Sequence, residues 1–123
     1  MGLKRLLDTN VVLYHLAGRL AAPLPPADYL LSIIFELELL SYPGLGTEAE
    51  ERICAFLDEV TIVQLNPEVC AATIDFRRRY RLKLPDAIIV GTAKTVNAEL
   101  VTNDEALLKL AGIAAVSMEL KVN

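Results

Sequence analysis

Apolar residues along this chain fall into short unbroken runs that alternate with longer stretches of helical spacing. Leu3 to Leu7, interrupted by Lys4 and Arg5, predicts a first strand. Val11, Val12, Leu13 and Leu16 then follow helical spacing as far as Gly18. Residues 19–28, with Pro23, Pro25 and Pro26, predict an irregular connection, mobile or partner-facing. From Ser32 to Tyr42 the set Ile33, Ile34, Leu37 and Leu40 predicts a helix that Ser32 caps and Pro43-Gly44 stops. Thr47-Glu48-Ala49-Glu50 then has the form of a capping box, opening a helix with an apolar face of Ile53, Phe56, Leu57 and Val60.

The second half repeats the alternation. Thr61 to Leu65 is short and β-branched, a second strand. Asn66 caps a helix with Pro67 at its first position, running to about Arg79. A helix from Pro85 toward Asn97, a third strand at Glu99 to Thr102, a short helix from Asp104 to Leu110 and a fourth strand at Ala115 to Met118 complete the order. Strands separated by helices pair in parallel through crossovers, so the pattern predicts an α/β chain with three α/β/α layers and about four parallel strands. At 123 residues, without a linker or an internal repeat, residues 1–123 are expected to form a single domain.

Composition narrows the class. Hydrophobic residues make up 54% of the chain, which fits a well-buried sheet, and no apolar run reaches the length of a membrane span. A net charge of −4 argues against coating nucleic acid by bulk electrostatics, but leaves open a nuclease that uses a local basic patch and a bound metal. Cys54 and Cys70 are separated by fifteen intervening residues with no nearby His, which excludes a zinc ligand set or a redox CxxC pair. Two buried thiols in a reducing cytoplasm are expected instead, since the first residues lack the apolar region and cleavage site expected of a signal peptide.

The candidate chemistry is acidic. Asp8 follows the first strand, Asp86 opens the helix after Leu84-Pro85, and Asp104 lies just beyond the strand ending in Val101-Thr102. Each could be only a helix cap, a role worth about 1 kcal/mol. Pro85 suits the first helical position, however, which makes Leu84 the cap and leaves Asp86 one position further in. Thr102 and Glu105 form a capping box that releases Asp104 from the same duty. Two carboxylates about 5 Å apart repel by roughly 3 kcal/mol at an effective dielectric of about 20, so a cluster needs protons or a cation. An all-oxygen set without His or Cys suits Mg²⁺ or Mn²⁺, ions that position a phosphodiester and activate water.

Four segments, Leu6-Leu7-Asp8-Thr9-Asn10-Val11-Val12, Ser32 through Leu39, Leu84-Pro85-Asp86-Ala87-Ile88-Ile89 and Val101-Thr102-Asn103-Asp104, together resemble the four motifs of the PIN-domain nucleases, in order and over nearly the whole chain. The resemblance is greatest to VapC-type toxins of bacterial toxin–antitoxin pairs. It implies a metal-dependent endoribonuclease with Asp8, Glu38, Asp86 and Asp104 as its acidic set, Asp8, Asp86 and Asp104 holding Mg²⁺ or Mn²⁺, and Asn10 and Thr102 as supporting polar residues. It also implies an RNA substrate, a cognate antitoxin as partner and a homodimer. Glu38 is preferred to Glu36 because it precedes a Leu and stands three after the family's Thr position; the two are about 200° apart on a helix, so only one can face the site. Phe35 occupies that Thr position, and Ala106 stands where many relatives carry a further acid.

The remaining candidates are weighed against plainer roles. Arg77, Arg78, Arg79 and Arg81, with Tyr80 and Lys83, form the one basic concentration, either a solvated helix end or an RNA-binding patch beside the acids. Asn10 can equally serve a local turn, and Glu36 a solvated or partner-facing face. His15 is expected to be structural, and Tyr14, Tyr29 and Tyr42 to pack at the edge of the core. A haloacid-type phosphatase would need an Asp where Asn10 stands, and a receiver domain an acidic pair at the first strand's end. The alternative from another class is a non-catalytic PIN-like module that binds protein.

Overall fold

The computed structural model describes residues 2–122 and contains one sheet of five parallel strands in the order β3-β2-β1-β4-β5. The elements run β1 (Lys4–Leu7), α1 (Thr9–Leu16), β2 (Asp28–Ser32), α2 (Ile33–Leu40), α3 (Thr47–Leu57), β3 (Thr61–Val63), α4 (Pro67–Tyr80), α5 (Leu84–Val96), β4 (Glu99–Val101), α6 (Glu105–Leu108) and β5 (Ala115–Val116). The strand that sequence pattern does not reveal is β2. Its stretch Asp-Tyr-Leu-Leu-Ser lacks polar–apolar alternation because it lies inside the sheet, and its last residue is already the cap of the next helix. Ser32 Oγ accepts from the Ile34 N–H at 3.2 Å, so strand and helix abut with no turn between them.

Alternation across the sheet divides the core in two. Leu7 and Val101 face a cluster with Val11, Val12, Leu31, Phe35, Ile53 and Phe56, while their neighbours Leu6 and Leu100 face Phe76, Ile89, Val90 and Leu107. Helices α1, α2 and α3 therefore cover one face, and α4, α5 and α6 the other, giving the three layers. Gly91 lets α5 approach α4 closely, since a Cβ there would lie 2.6 Å from Thr73 Oγ1 and 2.7 Å from the Thr73 backbone nitrogen.

Several local expectations are corrected. Gly46, without a side-chain bond, occupies the cap of α3, and Thr47 is already helical, so the expected capping box does not form. Lys83 caps α5, which puts Leu84, Pro85 and Asp86 at its first three positions; a proline in the first turn still gives up only an N–H that has no helical partner. Cys54 and Cys70 are exposed rather than buried, because both fall on the outer faces of their helices. Tyr42 is largely exposed, whereas His15 packs its ring 5.4 Å from that of Phe56, in keeping with a structural role. Among the described residues, no helix is long and apolar enough to cross a membrane.

Candidate active site

The chain leaves β1 for one side of the sheet and returns through β4 on the other, so the switch point lies between these two strands, where parallel α/β sheets open a crevice. Leu7 pairs with Val101, and the Asp8 N–H continues the ladder to the Val101 carbonyl at 2.9 Å. The residues that follow each strand, Asp8 and Thr102, therefore meet. Asp8 caps α1, its Oδ1 accepting from the Thr9 N–H at 2.8 Å, and its Oδ2 accepts from Thr102 Oγ1 at 2.7 Å. The same Thr102 oxygen accepts from the Asp104 N–H at 3.1 Å, so one buried hydroxyl ties two carboxylate-bearing turns together.

Asp104 caps the short α6, accepting from the Ala106 N–H at 2.8 Å and the Leu107 N–H at 3.3 Å. This corrects the expected capping box of Thr102 and Glu105. Thr102 lies two residues before the cap, inside the fold, and spends its hydroxyl on Asp8 and on the Asp104 backbone. Asp86, half-buried in the first turn of α5, completes a group of three.

The charge of Asp104 reaches both Asp8 and Asp86, and that of Asp8 reaches Asp86. Burial pushes the Asp8 carboxyl above its ordinary range; hydrogen bonds from Thr102 and Thr9 pull it back, and the charge of Asp104 adds to the rise. Asp86 is also raised, first by burial and then by the charges of Asp8 and Asp104, with Lys83 opposing. Among the described residues, no three His, Cys, Asp or Glu side chains are placed tightly enough to enclose an ion as they stand. The donor chemistry nevertheless suits a hard divalent cation: the candidate donors are all carboxylate oxygens, neighbouring negative charge raises Asp8 and Asp86, and Asp86 accepts no hydrogen bond among the described residues.

The other candidates sit further out. Glu38 is exposed on α2, its Oε1 at 3.5 Å from the Thr9 hydroxyl, the outer limit of a hydrogen bond, so it stands beside the first turn of α1. Glu36 is half-buried elsewhere on the helix, and Phe35, at the family's Thr position, is fully buried in the core. Asn10 is exposed, and its side chain makes no hydrogen bond among the described residues, so the alternative of a local turn bond is not realised. Arg77, Arg78, Arg79 and Arg81 are all exposed. Arg77 donates to the Leu82 carbonyl at 3.4 Å and Arg79 pairs with Asp75 at 3.2 Å, while the cation acting on Asp86 is Lys83. Thr9 is the neighbour that sequence pattern does not single out, whereas Lys83, the last residue of the basic stretch, stands three before Asp86 and is the member of that stretch that acts on it.

Next to Thr9 and Glu38, helices α1, α2 and α3 enclose a groove of about 750 Å³, lined mainly by apolar side chains including Leu13, Leu16, Leu39, Leu45 and Ile53. A second cavity, of about 480 Å³, lies at the opposite edge of the sheet against Lys4, Lys94 and Asn97.

These features define an α/β protein with a carboxylate site at the switch point of a parallel sheet. The sequence model of the PIN domain family matches residues 5–113, and the chain belongs to that family, whose members are generally nucleases. Among solved structures, a chain of a toxin–antitoxin complex from Klebsiella pneumoniae is 28% identical, with a TM-score of 0.74 over 89% of this chain and 95% of that one. The VapBC2 structure from Rickettsia felis, bound to a promoter DNA fragment, gives 17% identity and a TM-score of 0.78, covering 95% of this chain and 100% of its match. DNA-bound VapBC from Salmonella typhimurium gives 18% and 0.75 over 94% and 98%. The latter two carry likeness of fold. No curated protein matches the chain in sequence. Family membership and these neighbours accord with the VapC-type resemblance carried by the four motifs.

Proposed function

We propose that this protein is a metal-dependent endoribonuclease, the toxin of a type II toxin–antitoxin pair, acting in the cytoplasm as a one-domain protomer of a homodimer. The observation that carries this reading is the joining of the Asp8 and Asp104 turns through Thr102 at the sheet's switch point, with the charges of both aspartates acting on Asp86, in a chain of the PIN domain family. Asp8, Asp86 and Asp104 would hold Mg²⁺ or Mn²⁺, and the ion, when bound, supplies charge for a phosphodiester and acidifies a water. Thr102 orients the Asp8 carboxylate and, by donating to it, opposes the rise in pKa that burial causes. Glu38, beside Thr9, borders the site from α2 and completes the acidic set, with Asn10 as a polar neighbour on α1. Lys83 offsets part of the negative charge at Asp86, and Arg77, Arg78, Arg79 and Arg81 receive RNA phosphates along the end of α4.

The cognate antitoxin is the natural occupant of the apolar groove, because the groove adjoins Thr9 and Glu38 and an apolar segment laid in it would also block the acidic site. Purified protein is expected to cleave RNA in Mg²⁺ or Mn²⁺, to stop when the ion is chelated and to resume on its return. Cleavage that persists in excess chelator would sink the metal-dependent reading. A non-catalytic binding module, by contrast, would leave RNA intact under every ion and still bind the antitoxin.

A further inference from the structure

The turn carrying Asp104 is tied to the C-terminal segment by a single side chain. The β4–β5 ladder runs from the Leu100 N–H to the Ala114 carbonyl at 2.8 Å and from the Thr102 N–H to the Val116 carbonyl at 2.9 Å. One step further on, the Asn103 carboxamide takes over: Nδ2 donates to the Met118 carbonyl at 3.0 Å, and Oδ1 accepts from the Met118 N–H at 2.8 Å. This two-way pairing imitates the backbone of one more strand residue.

Beyond Met118 the segment is fixed in turn. The Ala21 N–H donates to the Glu119 carbonyl and the Lys121 N–H to the Arg19 carbonyl, both at 2.8 Å, around an antiparallel bridge between Leu20 and Leu120. Asn103 thus connects the Asp104 turn to the segment that follows α1, the helix capped by Asp8. Asp104 needs an external anchor. It is exposed and heads a helix of four residues, far too short to hold its own shape.

We propose that Asn103 is a positioning residue for Asp104, setting the turn so that its carboxylate shares a divalent ion with Asp8 and Asp86. The proposal rests on the ribonuclease function above and extends it to a residue that touches neither ion nor RNA. Groups behind metal ligands commonly set affinity by about ten- to a hundred-fold. Asn103→Ala should therefore weaken Mn²⁺ binding, followed by electron paramagnetic resonance on folded protein, by about ten-fold or more. In the metal-free variant the amides of Ala106 and Leu107, which Asp104 caps, should exchange faster while those of α4 keep their wild-type protection.

Phe76→Leu, in the core against α5, serves as the control, lowering stability while leaving the Mn²⁺ affinity at its wild-type value. An Asn103→Ala affinity within about two-fold of wild type, or a Phe76→Leu loss as large as that of Asn103→Ala, would overturn the positioning role alone. A wild-type protein that neither binds Mn²⁺ nor cleaves RNA would overturn the ribonuclease function and the positioning role together.

Discussion

At the scale of single residues, the site works against the stability of the fold. Asp86 carries a carboxyl whose pKa is raised, first by burial and then by Asp8 and Asp104. A group whose pKa is higher in the folded chain contributes stability that is complete below its unfolded value and is lost as pH rises through the folded one. At pH 7 the ionised Asp86 is thus a liability to folding. Asp86→Asn is expected to raise the thermal midpoint at pH 7 without divalent ions, with the gain shrinking toward zero as pH approaches the ordinary carboxyl value of 3.8. Thermal melts from pH 7 to 4 read it directly; a gain that does not depend on pH would point to a different cause. The same residue scale explains where sequence reading stopped. Asp8, Asp86 and Asp104 were legible because strand ends and helix starts announce themselves. Thr102's double hydrogen bond was not, because it depends on β1 and β4 being neighbours, and nothing local to residue 102 encodes that.

At the scale of elements, most helices announce themselves through spacing and caps, as Asn66 and Pro67 do for α4. β2 hides for the opposite reason: a strand packed against helices on both faces at its inner end, entered from a proline-rich connection and ending on a helix cap, has no period to read. Helix starts were misplaced by one residue at Thr47 and Pro85, because glycine and lysine cap through backbone geometry without a side-chain bond. The packing of α4 on α5 is likewise silent in sequence, although it is tight. Gly91→Ala would drive a methyl group into the Thr73 backbone and hydroxyl, so it is expected to destabilise the fold by about 1–3 kcal/mol in chemical denaturation. Thr73→Ala removes only the hydroxyl part of that clash, and the double variant should remain less stable than wild type.

At the scale of the whole molecule, the proposed ribonuclease function requires a chain with net charge −4 to attract a polyanion locally. The exposed arginines at the end of α4 are the means available to that function, and the side chains of Arg78 and Arg81 have no hydrogen-bond or ion-pair partner among the described residues. Replacing both by Gln should weaken RNA binding and flatten its salt dependence by roughly 0.7 for each phosphate that is no longer neutralised, as titrations between low and physiological salt would measure. An unchanged slope would assign these side chains to solvation alone. The parallel order β3-β2-β1-β4-β5 gathers Asp8, Asp86 and Asp104 from distant parts of the sequence at one switch point.

The most direct test of that convergence is RNA cleavage by wild type and Asp8→Asn, compared in Mn²⁺ at equal folded concentration, with circular dichroism verifying the fold. Robust cleavage is expected from the wild type and none from the variant, whose amide can still accept from the Thr9 N–H and so preserve the cap of α1. Cleavage by a folded Asp8→Asn at the wild-type rate would contradict a catalytic role for the three aspartates.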